Sequence, residues 1–428
     1  MGFHSTGVAG RTDGAAAFQT SAPRAPFYLA EDIIAAENSC PAEPECALAE
    51  DLAALDALKD GWRALEREAA RDIHAFQSFD WCRAWARTYM TDGHMTPFVV
   101  TIRQGGRLVL VWPMMKTRLG PVRVLSWLSD PFSQYGDVLT SLEGEALNEA
   151  LELAWGGILK RGGVDLLRLR HVREDANITP FLDKWFHQAG AEDGAPWMDL
   201  GQFADEAAYE RRYTKNQRRR RKRIRKALEK DLGERLDFSL IGTGEELADA
   251  IGMLVAEKRA WLCEKGLYSR PLGSPEITRF LRALPAGADA RGLRLVVTEM
   301  RAGGRGVSWE LGFRYKGRHY GYITAHDREL TDASPGRLHM DLSQRRALKD
   351  GMRVFDLLVP AAPHKKTWSS DVTGVRDYYR PVSLLGRALG DGYLRLGRPL
   401  LRRLYKKMPE NLRRRLGLAR LGGGGIQQ

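Results

Sequence analysis

Apolar positions in this chain recur at three- and four-residue steps in some stretches and alternate with polar ones in others, and the two periods lay out its elements. Leu48, Leu52, Leu55, Leu58, Trp62 and Leu65 predict a helix over residues 46–72. Ser78 is placed to cap a second helix carrying Trp81, Trp85 and Tyr89 on one face. Strands over 98–103 and 108–115 flank Gln104-Gly105-Gly106, a hairpin signal, and 122–128 and 137–140 extend that sheet. A helix over 143–160 ends at Gly162-Gly163, before a strand at 165–170.

The same order returns further along. A helix over 245–264 shows Leu247, Ile251, Leu254, Val255 and Trp261 as its apolar stripe. Strands at 293–300, 306–314 and 318–325 are separated by Gly303-Gly304 and Lys316-Gly317. A helix over 337–349, closed by Gly351, precedes a strand at 353–358. Between the halves, 203–230 reads as one long helix. Its stripe is apolar at Tyr209, Tyr213, Ile224 and Leu228 but polar at Gln217 and Arg220, so its middle either lines a polar cleft or faces solvent. These elements define an α/β (α+β) chain with mixed, mostly antiparallel sheets flanked by helices. The expected divisions are a loose tail at 1–45, domains at 46–200 and 233–382, a basic linker helix at 201–232 and a basic amphipathic tail at 383–428.

Charge sharpens this picture. The net +12 is concentrated in two places: residues 215–230 hold ten Lys/Arg against Glu229, and 387–420 hold eleven against Asp391 and Glu410. The rest of the chain is mildly acidic, so the charge reports two local features. The run at 215–230 has no interleaved aromatic residue and no recognised reader motif accompanies it, which argues against a nucleic-acid-binding protein. Four cysteines without a CxxC pair or clustered histidines give neither a zinc site nor a disulfide framework, so no metal is expected. Reduced thiols and the lack of a secretory start point to the cytoplasm. The tail at 384–421 mixes leucines with basic residues around Pro399 and Pro409; such a segment either caps the second domain or lies on an anionic membrane at its inner face.

Three motifs carry a family likeness. They are Phe76-Gln77-Ser78 with Trp81 and Trp85, the turn Ala333-Ser334-Pro335-Gly336 leading into a helix, and Phe355-Asp356 followed by Pro363, His364 and Lys365. With these the chain, over about 74–380, resembles the GNAT-type acyltransferases of the CelD/BcsL group associated with cellulose and exopolysaccharide biosynthesis. The likeness departs at Leu358, where the group has Gly, and at His364, where it has Tyr. It implies two tandem GNAT-like domains joined by the long basic helix. Acetyl-CoA or another acyl-CoA is the implied donor, and the acceptor is a saccharide, an amine or a lipid-linked molecule. The Fem proteins, which transfer amino acids in cell-wall assembly, share the tandem layout and supply the competing expectation of an aminoacyl-tRNA-dependent transferase.

Acyl transfer from a thioester needs a hold on the donor phosphates, polarisation of the carbonyl and a deprotonated acceptor. Ser334, Gly336, Arg337 and Leu338 at a helix start, with Thr324 nearby, are the donor-binding candidates; Gly336, Arg337 and Leu338 contribute backbone N–H groups. Alternation places Glu310 beside Ser308 and Gly312, where a carboxyl with a raised pKa would serve as base. Tyr322, sharing a strand face with Tyr320, Thr324 and His326, is the candidate proton donor to the leaving thiolate. Asp356 is placed to orient Lys365 or to form a structural ion pair. Lys365 would meet donor phosphates or an acidic acceptor, and His364 would act as a base near neutral pH.

Overall fold

The computed structural model describes residues 43–286, 292–397 and 400. The expected loose segment falls almost wholly outside these residues, as does most of the basic tail. Among these residues thirteen strands form one sheet: β1 (Glu45–Ala49), β2 (Thr96–Gln104), β3 (Arg107–Leu119), β4 (Val122–Trp127), β5 (Leu139–Thr140), β6 (Leu166–Arg173), β7 (His187–Asp199), β8 (Leu236–Ile241), β9 (Arg294–Ala302), β10 (Arg305–Tyr315), β11 (Arg318–His326), β12 (Val354–Asp356) and β13 (Asp371–Pro381).

Their spatial order is β1-β2-β3-β4-β6-β13-β7-β12-β11-β10-β9-β8, with β5 added beside β3. Read from either end, the order is the same series of elements. An antiparallel meander leads to a strand paired in parallel, β4 with β6 in one half and β11 with β12 in the other. The long helices Gly144–Arg161 and Pro335–Lys349 are the crossovers that these parallel pairs require. At the centre each half lends its last strand to the other. β13 pairs with β6, β7 pairs with β12, and β13 and β7 pair with each other. The sheet is therefore mixed and flanked by helices, as the periodicity predicts.

One core runs beneath both halves on one face. Trp81, from the helix Phe79–Tyr89 that Ser78 caps through its hydroxyl, meets the rings of Phe280 at 5.0 Å and Phe313 at 5.2 Å in edge-to-face contacts. The helix Gly244–Glu264 packs into the same core through Leu247, Ile251, Leu254 and Val255. On the opposite face, Leu338 of the helix Pro335–Lys349 packs on Met300 and Val307.

Two sequence expectations are corrected. Residues 46–72 are not one helix: β1 takes the start of the segment as the edge strand against β2, and two helices, Leu52–Ala57 and Lys59–Ala69, follow. Long-range pairing overrides the helical period there because Cys46 and Leu48 alternate equally well. The basic segment is also broken, into Glu206–Arg211 and Lys215–Leu232. Thr214 starts the second helix by a capping box with Gln217, and Arg212 stacks over Tyr209 and Tyr213 in the joint. Gln217 and Arg220 face solvent. In the described part of the tail, Leu389 and Leu394 pack on Leu166 and Tyr379, while Leu384 and Leu396 stay exposed.

Candidate active site

The site begins where two strands part. β11 and β12 pair in parallel at Arg318–Val354, His319–Phe355 and Tyr320–Asp356 and then separate. Leu357 N–H instead bonds the Pro196 carbonyl of β7 at 2.9 Å, so the chain follows β7 and leaves β11. A cavity of about 330 Å³ opens in the gap, a size suited to a small-molecule site.

The helix Pro335–Lys349 starts at this cavity. Ser334, at φ +59°, bends the chain into it, and Pro335 is the first helical residue. Gly336 has open space where a side chain would be. One expectation needs correction here: the Arg337 N–H is already bonded to the Ser334 carbonyl at 3.1 Å, a tight first turn. Leu338 is not a donor either, since as the fourth residue after the Ser334 cap its N–H falls within the helix's own i→i−4 ladder; Gly336 remains as the backbone donor, and the Leu338 side chain turns into the core.

Among the described residues the cavity lining carries Lys258, Arg337 and Lys365 together with His326, His339 and His364, and no acidic side chain. Such a lining is built for an anion. Lys365, only 5% exposed, donates from Nζ to the Leu358 carbonyl at 3.0 Å. Burial lowers its pKa to about 7, against the opposing pull of Asp356 and Asp193. His364 is also shifted down, by burial first and then by Lys365 and Lys258.

Thr324, Ser334, Gly336, Arg337, His364 and Lys365 thus converge on one cavity, whereas Glu310, Tyr322 and Asp356 do not line it. Glu310 lies directly behind: a side-chain carbon at Gly321, which does line the cavity, would sit 3.7 Å from its Oε1. That oxygen pairs with His319 Nε2 at 2.7 Å. The expected raised pKa is not found. Burial pushes the carboxyl up, but the hydrogen bond and charge of His319 outweigh it and the net shift is downward. Beside it His339, held between Ser308 at 2.7 Å and Thr298 at 2.9 Å, is lowered to about 4 by burial.

Tyr322 is placed elsewhere than expected. The ladder between β10 and β11 shifts register between Leu311 and Gly312, leaving Tyr322 as the extra residue of a bulge. The bulge breaks the alternation, so Tyr322 stays with Tyr320 in the aromatic core and donates to the Phe132 carbonyl at 2.9 Å, while Thr324 turns to the cavity. Burial raises the Tyr322 pKa well above its ordinary value. Asp356 does not bond Lys365. It accepts from Tyr135 at 2.7 Å, Arg318 at 3.0 Å and the Leu358 N–H at 2.8 Å, tying the two halves together. Leu358 takes a left-handed φ of +59°, the conformation that a Gly at this place would favour.

Lys258 was not expected from the sequence. A signal is nonetheless there, since it falls at helical spacing from Leu254, Val255 and Trp261, on the apolar stripe. Among the described residues no group of three His, Cys, Asp or Glu side chains is placed to hold a metal ion.

Residues 215–366 match the family model described as an acetyltransferase (GNAT) domain. The fold is of the GNAT acyltransferase type. The crystal structure of FemX superposes with a TM-score of 0.51 at 10% identity, over 79% of this chain and 98% of that one. At that identity the likeness is one of fold. The C-terminal domain of a lysylphosphatidylglycerol synthetase homologue from Agrobacterium fabrum gives 0.47 at 11% identity, over 79% and 96%. A tandem GNAT protein from the clavulanic acid biosynthesis pathway gives 0.43 at 14%, over 80% and 99%. No curated protein matches this chain in sequence.

Proposed function

We propose that this protein is an acyl-CoA-dependent N- or O-acetyltransferase that modifies a saccharide, amine or lipid-linked acceptor in exopolysaccharide, cellulose or cell-envelope biosynthesis. The carrying observation is the acid-free, cationic cavity opened by the parting of β11 and β12 at a helix start. The donor phosphates would meet the first turn at Gly336 and the Arg337 guanidinium, with Thr324 and Ser334 along the channel. The acceptor attacks the thioester carbonyl and loses a proton, and the thiolate that leaves gains one. Lys365, poised near neutrality, is the best-placed group to take and return that proton, with His364 beside it. Glu310 would act from behind Gly321 by holding His319. Membership of the CelD/BcsL group, a cytoplasmic location and a peripheral contact of the tail with an anionic membrane belong to the same proposal.

A second reading, an aminoacyl-tRNA-dependent transferase, is favoured by Arg219, Arg220, Lys222 and Arg223, all exposed on the helix Lys215–Leu232. Thermal melting with acetyl-CoA, CoA and tRNA separates the two. Stabilisation by acetyl-CoA and CoA is the expected result. No shift with either, together with tight tRNA binding, overturns the acetyltransferase proposal.

A further inference from the structure

The cavity passes through the plane of the sheet. On β10, Ser308 bonds His339 of the helix Pro335–Lys349, whereas its neighbour Trp309 packs in the core shared with the helix Gly244–Glu264. The two residues point to opposite faces, yet Trp309 and His339 both line the cavity. It is therefore lined from both faces of the sheet, by Gly336 and His339 on one and by Trp309 and Lys258 on the other.

Lys258 is 8% exposed, with its Nζ 4.4 Å from the centre of the Trp261 ring. Burial alone lowers its pKa, to about 8, and among the described residues no carboxylate pairs with it. A buried ammonium without a counter-charge is costly, and an aromatic face offsets only part of that cost. It stands where an incoming anion would supply the missing charge. Two histidines of the lining feel its charge, and His326 and His364 are both pushed toward their neutral forms, first by burial and then by charges that include its own.

We infer that Lys258 anchors the acceptor by a carboxylate or phosphate group, from the face opposite the helix that receives the donor. The acceptor class is thereby narrowed to molecules carrying an anion near the acylated amine or hydroxyl, a conclusion that rests on the acyltransferase reading above.

Calorimetric titration of the full chain tests this, using inorganic phosphate and acetate as probes with and without saturating acetyl-CoA. Expected is that one of the two anions still binds the acetyl-CoA-loaded protein. Lys258→Met should weaken that binding at least about 10-fold and Lys258→Arg should largely restore it, while acetyl-CoA affinity changes less than about 2-fold. Three results overturn the inference: neither anion binding, anion binding indifferent to Lys258→Met, or competition between the anion and acetyl-CoA, which would make Lys258 part of the donor site. Failure of acetyl-CoA to bind the unaltered protein is a separate outcome. It removes the acyltransferase reading, and with it the acceptor assignment.

Discussion

Lys365 and Asp356 grip the same residue from opposite sides: Lys365 Nζ donates to the Leu358 carbonyl, and the Leu358 N–H donates to Asp356 Oδ1 at 2.8 Å. The acid thus shapes the loop that positions the amine without neutralising it by contact. Lys365 stays nearly unpaired and keeps its lowered pKa of about 7.

Turnover should therefore rise with pH through about 7 as Lys365 becomes a neutral amine. Lys365→Arg, which cannot deprotonate, should lower kcat about 100-fold or more and remove that limb of the profile, whereas acetyl-CoA affinity should barely change. Stability has its own signature. The folded value lies below the ordinary 10.5, so the unfolded chain binds the extra proton between about 7 and 10.5. Unfolding free energy should rise with pH across that window, and Lys365→Met should flatten the rise in denaturant titrations.

Leu358 sets two effects against each other. Replacing it by Gly relieves a left-handed φ worth about 1–2 kcal/mol. The same change removes a fully buried side chain, a loss of about 2–5 kcal/mol for comparable Leu truncations. Burial should win, and Leu358→Gly should destabilise by roughly 1–3 kcal/mol in a denaturant titration.

Gly336→Trp should abolish acetyl-CoA binding and leave the fold intact. The space beside Gly336 is open, and Gly336 lines the cavity. An unchanged far-ultraviolet spectrum and melting temperature with no measurable acetyl-CoA titration is the expected pair of results; retained binding would place the donor elsewhere.

Glu310→Gln keeps a side chain that can bond His319 and removes the charge behind Gly321. Steady-state kinetics should show kcat reduced about 10-fold, with the KM for acetyl-CoA within about 2-fold. Undiminished kcat would take Glu310 out of the chemistry.

Asp356→Ala should be the most damaging of these changes to stability, by about 3–5 kcal/mol, because it strips the buried Arg318 of one of its two acids. It also cuts the tie to Tyr135 across the seam between halves, so loss of stability should appear as a lower denaturant midpoint of the whole transition.

Much of this was legible in the sequence because it depends on near neighbours. The Ser78 cap, the hairpin glycines, the helix behind Ser334-Pro335-Gly336 and the doubled order of elements all follow from local period and capping chemistry. The same locality explains why six of the ten named site residues share one cavity: they sit on a strand end, a helix start and a loop that succeed one another along the chain.

Other features were settled by tertiary structure alone. β7 holds Gly190, Gly194 and Pro196, residues that disfavour a strand, and it becomes one only because β13 and β12 pair with it. The exchange of last strands between halves has no local code, since it is decided by which distant edges meet. The bulge at Tyr322 split a face that simple alternation had assigned, leaving that phenol in the core with Tyr320 and turning Thr324 to the cavity. Lys258 reached the cavity from a helix some way back in the chain, since packing the stripe of Leu254 and Val255 carries its ammonium inward with them. Sequence by itself determined the elements and the helix start that opens the cavity; the meeting of distant surfaces decided the seam, the bulge and the lining that the cavity takes from the second face of the sheet.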